Sequence, residues 1–187
     1  TGNIVLMSQA AFNGDLSRVL HYLIPLLSFA LGVAVAEAIH IRYREAKRLH
    51  WRQLVLVVEI LLLFGVGFIP NTLDLAANAL VSFACAMQVQ AFRKVHGYPF
   101  ASTMCIGNMR SGMESLVVYF HLHDKKVLHK ALHYFGVILL FAIGAGVGAH
   151  CVGVFGNKTI WFSCALLLVS LCFMFIQDEE EALKEKA

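Results

Sequence analysis

The sequence has few charged residues and lacks the short motifs of the common soluble enzymes. Only 14% of its 187 residues are charged, against about 25% in an average soluble domain. It contains no Gly-rich nucleotide loop, no Ser-x-Gly nucleophile elbow and no pair of carboxylates in a soluble context. Without these motifs, the sequence does not indicate any class of enzyme. We therefore predict a protein that is not an enzyme and that binds no nucleic acid and no cofactor.

The cysteines show no paired spacing. The five residues are Cys85, Cys105, Cys151, Cys164 and Cys172, and most of them lie within apolar runs. Free cysteine in such surroundings behaves as a small hydrophobic residue. The pattern therefore predicts neither a disulfide framework nor a CxxC metal site.

Long apolar runs dominate the remaining sequence, which is 59% hydrophobic. Runs of about 20 apolar residues are long enough to cross a hydrocarbon core of about 30 Å. The candidate spans are Leu20–Ile41, Leu54–Ile69, Leu75–Phe92, Leu132–Phe155 and Ile160–Ile176. We therefore predict an all-α, polytopic membrane protein whose main partner is the lipid bilayer.

The basic residues predict the topology. Five of them lie between Arg42 and Arg52, and short loops rich in Lys and Arg stay in the cytoplasm. The segment Ile106–Leu122 is about 25 Å long as a helix, which is marginal for a span. If it dips into the membrane or lies in the interface, every basic residue except Arg18 and Lys158 is cytoplasmic. We therefore predict a multi-pass membrane protein with a cytoplasmic C-terminus.

Two parts of the chain resemble each other. Leu20–Ala36 and Leu132–Gly148 share eight of seventeen residues at an offset of 112, and both begin Leu-His-Tyr. A Gly-Asn step precedes each, at Gly2 and at Gly107. Internal repeats of this kind indicate a duplicated architecture.

In the predicted topology the two copies cross the membrane in opposite directions. We therefore predict two inverted repeats of about three transmembrane helices each, with Gly-Asn helix breaks. The first repeat covers residues 1–72 and lacks its first span in this chain, the second covers 73–177, and 178–187 form a cytoplasmic tail. Inverted repeats with interrupted helices are common in secondary transporters.

The two Gly-Asn steps are the candidate binding site. Irregular backbone at membrane depth must be buried in protein or line a wet cavity. A helix that starts just after Asn3 or Asn108 would direct its free N–H groups at an anion or a polar carbonyl group. The predicted substrate-binding residues are Gly2, Asn3, Gln9, Gln88, Gly107, Asn108, Arg110 and Glu114. The alternative is that the glycines only allow close helix packing.

Three charged residues within apolar segments need an explanation. Arg110 and Glu114 are four residues apart and should share a helical face. They either contribute to the site or form an interfacial pair, with Arg110 reaching cytoplasmic water. Glu59 lies well inside a span, where a carboxylate is costly. We interpret it as a coupling residue, and the alternative is a buried acid satisfied by Arg110 or Gln88.

Four histidines, at positions 121, 123, 129 and 133, suggest a metal site. His129 and His133 are one helical turn apart, which is a ligand spacing. His133, however, has a repeat counterpart in His21, and histidines beside lysines are typical of a membrane edge. We therefore predict no metal site and keep a metal or haem site at His129 as a third hypothesis.

The sequence resembles the YoaK-like family of bacterial inner-membrane proteins, whose function is unknown. The resemblance rests on Thr1-Gly2-Asn3 and on the stretch 86–91 that leads through Thr103 to Gly107-Asn108. Here Ile106 stands where the family pattern has a threonine. The resemblance implies a six-span protein that is sometimes described as a small-metabolite exporter.

We therefore expect a transporter or exporter of a small polar or anionic metabolite that works by alternating access between the repeats. The second hypothesis is a non-transporting membrane subunit, with a homodimer or a larger membrane complex as its partner. A cavity at the Gly-Asn breaks favours the first hypothesis, and a dry packing surface there favours the second.

Overall fold

The structure, a computed structural model, describes residues 2–43, 50–95, 98–99 and 105–184. Seven α-helices are present in these ranges: α1 (Gly2–Phe12), α2 (Leu16–Tyr43), α3 (Trp51–Val66), α4 (Asp74–Ala91), α5 (Cys105–Leu122), α6 (Lys125–Phe155) and α7 (Ile160–Lys184). Two short strands, β1 (Lys94–Val95) and β2 (Tyr98–Pro99), pair antiparallel. Thr1, the basic loop at 44–49, Thr103 and residues 185–187 lie outside the described residues.

Each predicted span coincides with a helix, because long apolar runs favour helices that satisfy their own backbone. The helical part of the prediction is confirmed. By length and composition, two helical stretches could cross a membrane, Leu16–Tyr43 and Lys125–Ile176, and they suggest a membrane protein. The run Leu54–Ile69 is helical only to Val66, so α3 has 16 residues. The chain divides into two units, the first comprising residues 1–91 and 157–187 and the second comprising residues 92–156.

In the first unit, α2 and α4 lie side by side and parallel. Gly32 is buried on α2, and a Cβ placed there would overlap the carbonyl oxygen of Phe83 and lie 2.9 Å from the Cβ of Ala86. One turn further along both helices, Gln90 donates a hydrogen bond to Glu37. Because residue numbers rise together on the two helices, their C-terminal ends lie together.

The neighbouring helix α3 pairs antiparallel with α7. The Cys164 thiol faces the carbonyl of Ile60, with 3.9 Å between Sγ and O, and Asn157 Nδ2 donates to the carbonyl of Ile69 at 3.2 Å. Between them, the indole of Trp161 donates to the carbonyl of Phe64 at 3.3 Å. The numbers rise on α3 while they fall on α7, which establishes the antiparallel direction.

These pairings give the first unit two ends. The first, which we name the Asn157 end, contains the turn at Gly14–Asp15, the 3-10 helix Asn71–Leu73 and residues 157–159 of the 3-10 helix Gly156–Thr159. We name the other the Trp51 end. The Trp51 end contains the last turns of α2 and α4 and the first turn of α3.

The second unit is built on the α5–α6 hairpin. Gly112 on α5 packs against α6, where an added Cβ would lie 3.3 Å from the Cβ of Tyr134 and 3.2 Å from the ring of Phe135. Tyr134 is buried in this contact, and Ser115 on α5 is buried as well. The contact therefore requires a small residue at position 112.

The α1–α2 and α5–α6 hairpins have the same local construction. The connection between the two helices contains a residue with a positive φ in each hairpin. This residue is Gly14 between α1 and α2, with a φ of 73°, and His123 between α5 and α6, with a φ of 53°. An aspartate follows in each case and caps the next helix: Asp15 accepts from the backbone N–H of Arg18, and Asp124 from that of Lys126. Aspartate is a favoured residue at this position. The predicted inverted relation of the two halves stays a prediction.

The contact at Gly32 generates the first testable prediction. Gly32→Ala forces α2 and α4 apart, and overpacking of this kind costs about 1–3 kcal/mol of unfolding free energy. Gly65→Ala on α3 is the matched control, because a Cβ there meets open space and alanine favours the helix by up to about 1 kcal/mol. Thermal unfolding in detergent, followed by circular dichroism, should show a lower midpoint for the first variant alone. Equal midpoints would contradict the close contact.

Candidate functional site

Glu59 is the most unusual residue of the first unit. It lies near the middle of α3, and only 2% of its surface is exposed. Its Oε2 atom is buried and has no hydrogen-bond partner among the described residues. Burial of a polar group without a hydrogen bond costs about 1–3 kcal/mol by protein mutational data. The structure thus places a carboxylate where it opposes folding.

Three helices surround this carboxylate. α3 contributes the buried side chains of Leu56 and Leu63, one turn before and one turn after it. The thiols of Cys85 on α4 and Cys164 on α7 interact electrostatically with the Glu59 carboxylate. Arg110 and Gln88 were the expected partners of Glu59. Among the hydrogen bonds and ion pairs of the described residues, neither side chain pairs with it.

A second polar residue on α3, Gln53, is equally buried but has a partner. Its side-chain oxygen accepts a hydrogen bond from the backbone N–H of His50 at 3.0 Å. The His50 ring in turn accepts from the N–H of Arg52, so the two side chains form a capping box at the start of α3. Gln53 therefore has a structural role that Glu59 lacks.

The Trp51 end carries a polar cluster that sequence reasoning did not assign to a site. Glu37 on α2 accepts hydrogen bonds from Gln90 on α4 and lies 3.4 Å, Oε1 to Nδ1, from His40. The His40 ring is 4.3 Å, centroid to centroid, from the ring of Trp51 on α3. The i,i+3 spacing of Glu37 and His40 was the available signal, but no local pattern indicated Gln90 as a partner.

The predicted residues of the first unit are spread over α1 and α4. Gly2, Asn3 and Gln9 are exposed on α1, and Gln88 is half-buried on α4. Of these, Gln9 lines an open pocket of about 110 Å³ between α1 and α2. The other lining residues are Leu6, Ala10, Asn13, Asp15, Arg18 and Tyr22. An ion pair between Asp15 Oδ2 and Arg18 Nε, 3.2 Å long, forms one wall.

The predicted residues of the second unit lie on α5. This helix begins at Cys105, so Gly107 and Asn108 belong to its first turn, whereas the prediction had the helix start after Asn108. Gly107 is exposed and Asn108 is buried. The first turn of a helix tolerates both residue types, because its N–H groups have no partner within the helix in any case.

Arg110 and Glu114 share a face of α5, as predicted. Arg110 Nε lies 2.9 Å from Glu114 Oε1, and the two side chains are 80% and 62% exposed. An exposed pair at this spacing contributes little to stability, because solvent screens the two charges. Stability therefore does not explain why the two charges are placed in an apolar chain.

The histidines near the start of α6 do not form a metal site. His129 is exposed and His133 is half-buried. Within the described ranges, no group of three or more His, Cys, Asp or Glu side chains could hold a metal ion.

Comparison with known proteins gives one match. A family model described as "Protein of unknown function (DUF1275)" matches residues 1–173. No curated protein and no solved structure matches the chain.

The contrast between Glu59 and Gln53 generates the second prediction. Glu59→Leu removes a buried group without a partner and should raise the unfolding free energy by about 1–3 kcal/mol. Gln53→Leu removes a satisfied group, leaves the N–H of His50 unpaired, and should lower it by about 1 kcal/mol. Chemical unfolding of both variants in the same detergent measures the two signs. A Glu59→Leu variant less stable than the wild type would contradict our description of this carboxylate.

Proposed function

The chain belongs to the DUF1275 family, of which YoaK-like proteins are members, and from its own residues we propose a membrane transporter or exporter. It moves a small polar or anionic metabolite across the bacterial inner membrane by alternating access between two inverted repeats. The family has no established function, so the proposal depends on the helices and the buried charge described above.

Glu59 is the observation that carries the proposal. An ionisable residue within the membrane is costly and marks ion or substrate pathways in transport proteins. Glu59 is buried on a short apolar helix, has no partner for Oε2 and stabilises nothing that the structure describes. A coupling role accounts for its presence, because a coupling carboxylate must be free to gain and lose an ion.

The outer surface of the helices supports placement in a bilayer. Leu61, Leu140 and Leu166 are each at least 67% exposed, and large apolar surfaces of this kind are rare on soluble monomers. The Trp51 end includes Arg42 and Arg52, and the sequence between these two residues is strongly basic. By the preference of basic loops for the cytoplasm, we assign this end to the cytoplasmic side and the Asn157 end to the outer side.

The Gly-Asn step of each hairpin provides some of the substrate-binding residues that we propose. Each hairpin begins with a Gly-Asn step in the first turn of a helix, at Gly2 and at Gly107, and continues through an aspartate cap into a long helix. Free N–H groups in such first turns favour anions and carbonyl oxygens. Gln9, Gln88, Asn108, Arg110 and Glu114 complete the proposed set of substrate-binding residues.

A non-transporting membrane subunit is the second candidate. It is favoured by the glycines of α6, because a Cβ at Gly144 or Gly148 meets open space in this chain. Small residues four apart allow close packing of a second transmembrane helix. In this alternative a homodimer or a larger complex covers α6, and the Gly-Asn steps serve packing.

Flux into liposomes tests the transport proposal. With labelled lactate, succinate and glutamate as probes, at least one should enter wild-type vesicles faster than protein-free vesicles. Arg110→Ala and Glu59→Gln should each reduce this flux about tenfold or more, which corresponds to about 1.4 kcal/mol of barrier.

Two control variants show whether the loss of any exposed charge lowers the flux, or only the loss of a charge in the proposed site. Arg93→Ala removes another exposed arginine, and Asp74→Asn removes an exposed carboxylate at the Asn157 end. Both should retain wild-type flux. If Arg110→Ala and Glu59→Gln also retain it, the proposed site is wrong.

A further inference from the structure

We propose that the ion bound at Glu59 is a proton. This inference deepens the coupling role assigned above and in that respect rests on the proposed function. Binding of the proton itself can be measured without any transport.

The surroundings of Glu59 favour its neutral form. Its neighbours on α3 are apolar, and no Lys, Arg or His side chain in the described part of the chain pairs with it. The titratable groups that face it are the thiols of Cys85 on α4 and Cys164 on α7. On α2, the polar side chains of Glu37 and His40 lie against each other, with 3.4 Å between Oε1 and Nδ1. A proton removes the charge without requiring any further ligand.

A metal cation would lack ligands at the same place. Hard cations take several oxygen ligands, and Glu59 is the one carboxylate that the three helices bring to this position among the described residues. The carbonyl of Ile60 already faces the thiol of Cys164. No group of three metal-binding side chains forms here or elsewhere in the described residues. The donor set therefore suits a proton and not a metal ion.

Infrared spectroscopy of the full chain in liposomes tests the bound proton. With ¹³C-labelled glutamate, the wild type should show the C=O band of a protonated glutamic acid at neutral pH, and the band should shift in D₂O. Glu59→Gln should remove the band, whereas Glu114→Gln, which changes an exposed carboxylate, should keep it. Sodium or potassium chloride at constant pH should leave it unchanged.

Three results would overturn the proposal. They are absence of the protonated band in the wild type at neutral pH, loss of the band on adding sodium or potassium, and persistence of the band in folded Glu59→Gln. If Glu59→Gln does not fold, Glu59→Asp replaces it: the labelled band should disappear and an unlabelled acid band should appear. If the band is present but no flux is measured, the transport proposal is refuted and the proton site stands. If flux is measured but the band is absent, the proposal of a bound proton is refuted.

Discussion

The close, parallel contact of α2 and α4 at Gly32 is the constraint on which the rest of the first unit depends. Because no side chain separates the two backbones there, the helices keep one register along their length. That register brings Gln90 to Glu37 and places the ends of α2 and α4 together. Helix α3, which runs between them in sequence, must return in the opposite direction. The two ends of the unit follow from this arrangement.

The first unit can keep a buried carboxylate only if its other contacts stabilise the fold enough to offset the cost of burial. The aromatic contacts of Trp161 and the hydrogen bond of Asn157 tie α3 to α7 on one side of Glu59. The capping box of His50 and Gln53 fixes α3 on the other side. Functional sites commonly carry such local costs, which the surrounding packing offsets. The position of Glu59 between two well-satisfied regions fits a group kept for its chemistry.

The sequence predicted the helices well because apolar runs and turn residues act locally. The i,i+4 pair of Arg110 and Glu114 is an example, since it depends on two residues one helical turn apart. The partners of the helices were not predictable, because Glu37 meets Gln90, and Ile69 meets Asn157, across long stretches of chain. The start of α5 at Cys105 was missed because Gly107 and Asn108 have low helix propensity. That preference matters little in a first turn, where no hydrogen bond is lost.

The central claim is that the first unit crosses the bilayer, with the Trp51 end in the cytoplasm and the Asn157 end outside. Single cysteines at Ser17→Cys and Arg42→Cys, in a chain without its five native cysteines, test it most directly. Both positions are exposed and lie at opposite ends of α2. A membrane-impermeant thiol reagent applied to intact spheroplasts should label position 17 and should reach position 42 only after lysis. Equal labelling of both positions before lysis, or labelling of position 42 alone, would contradict the account.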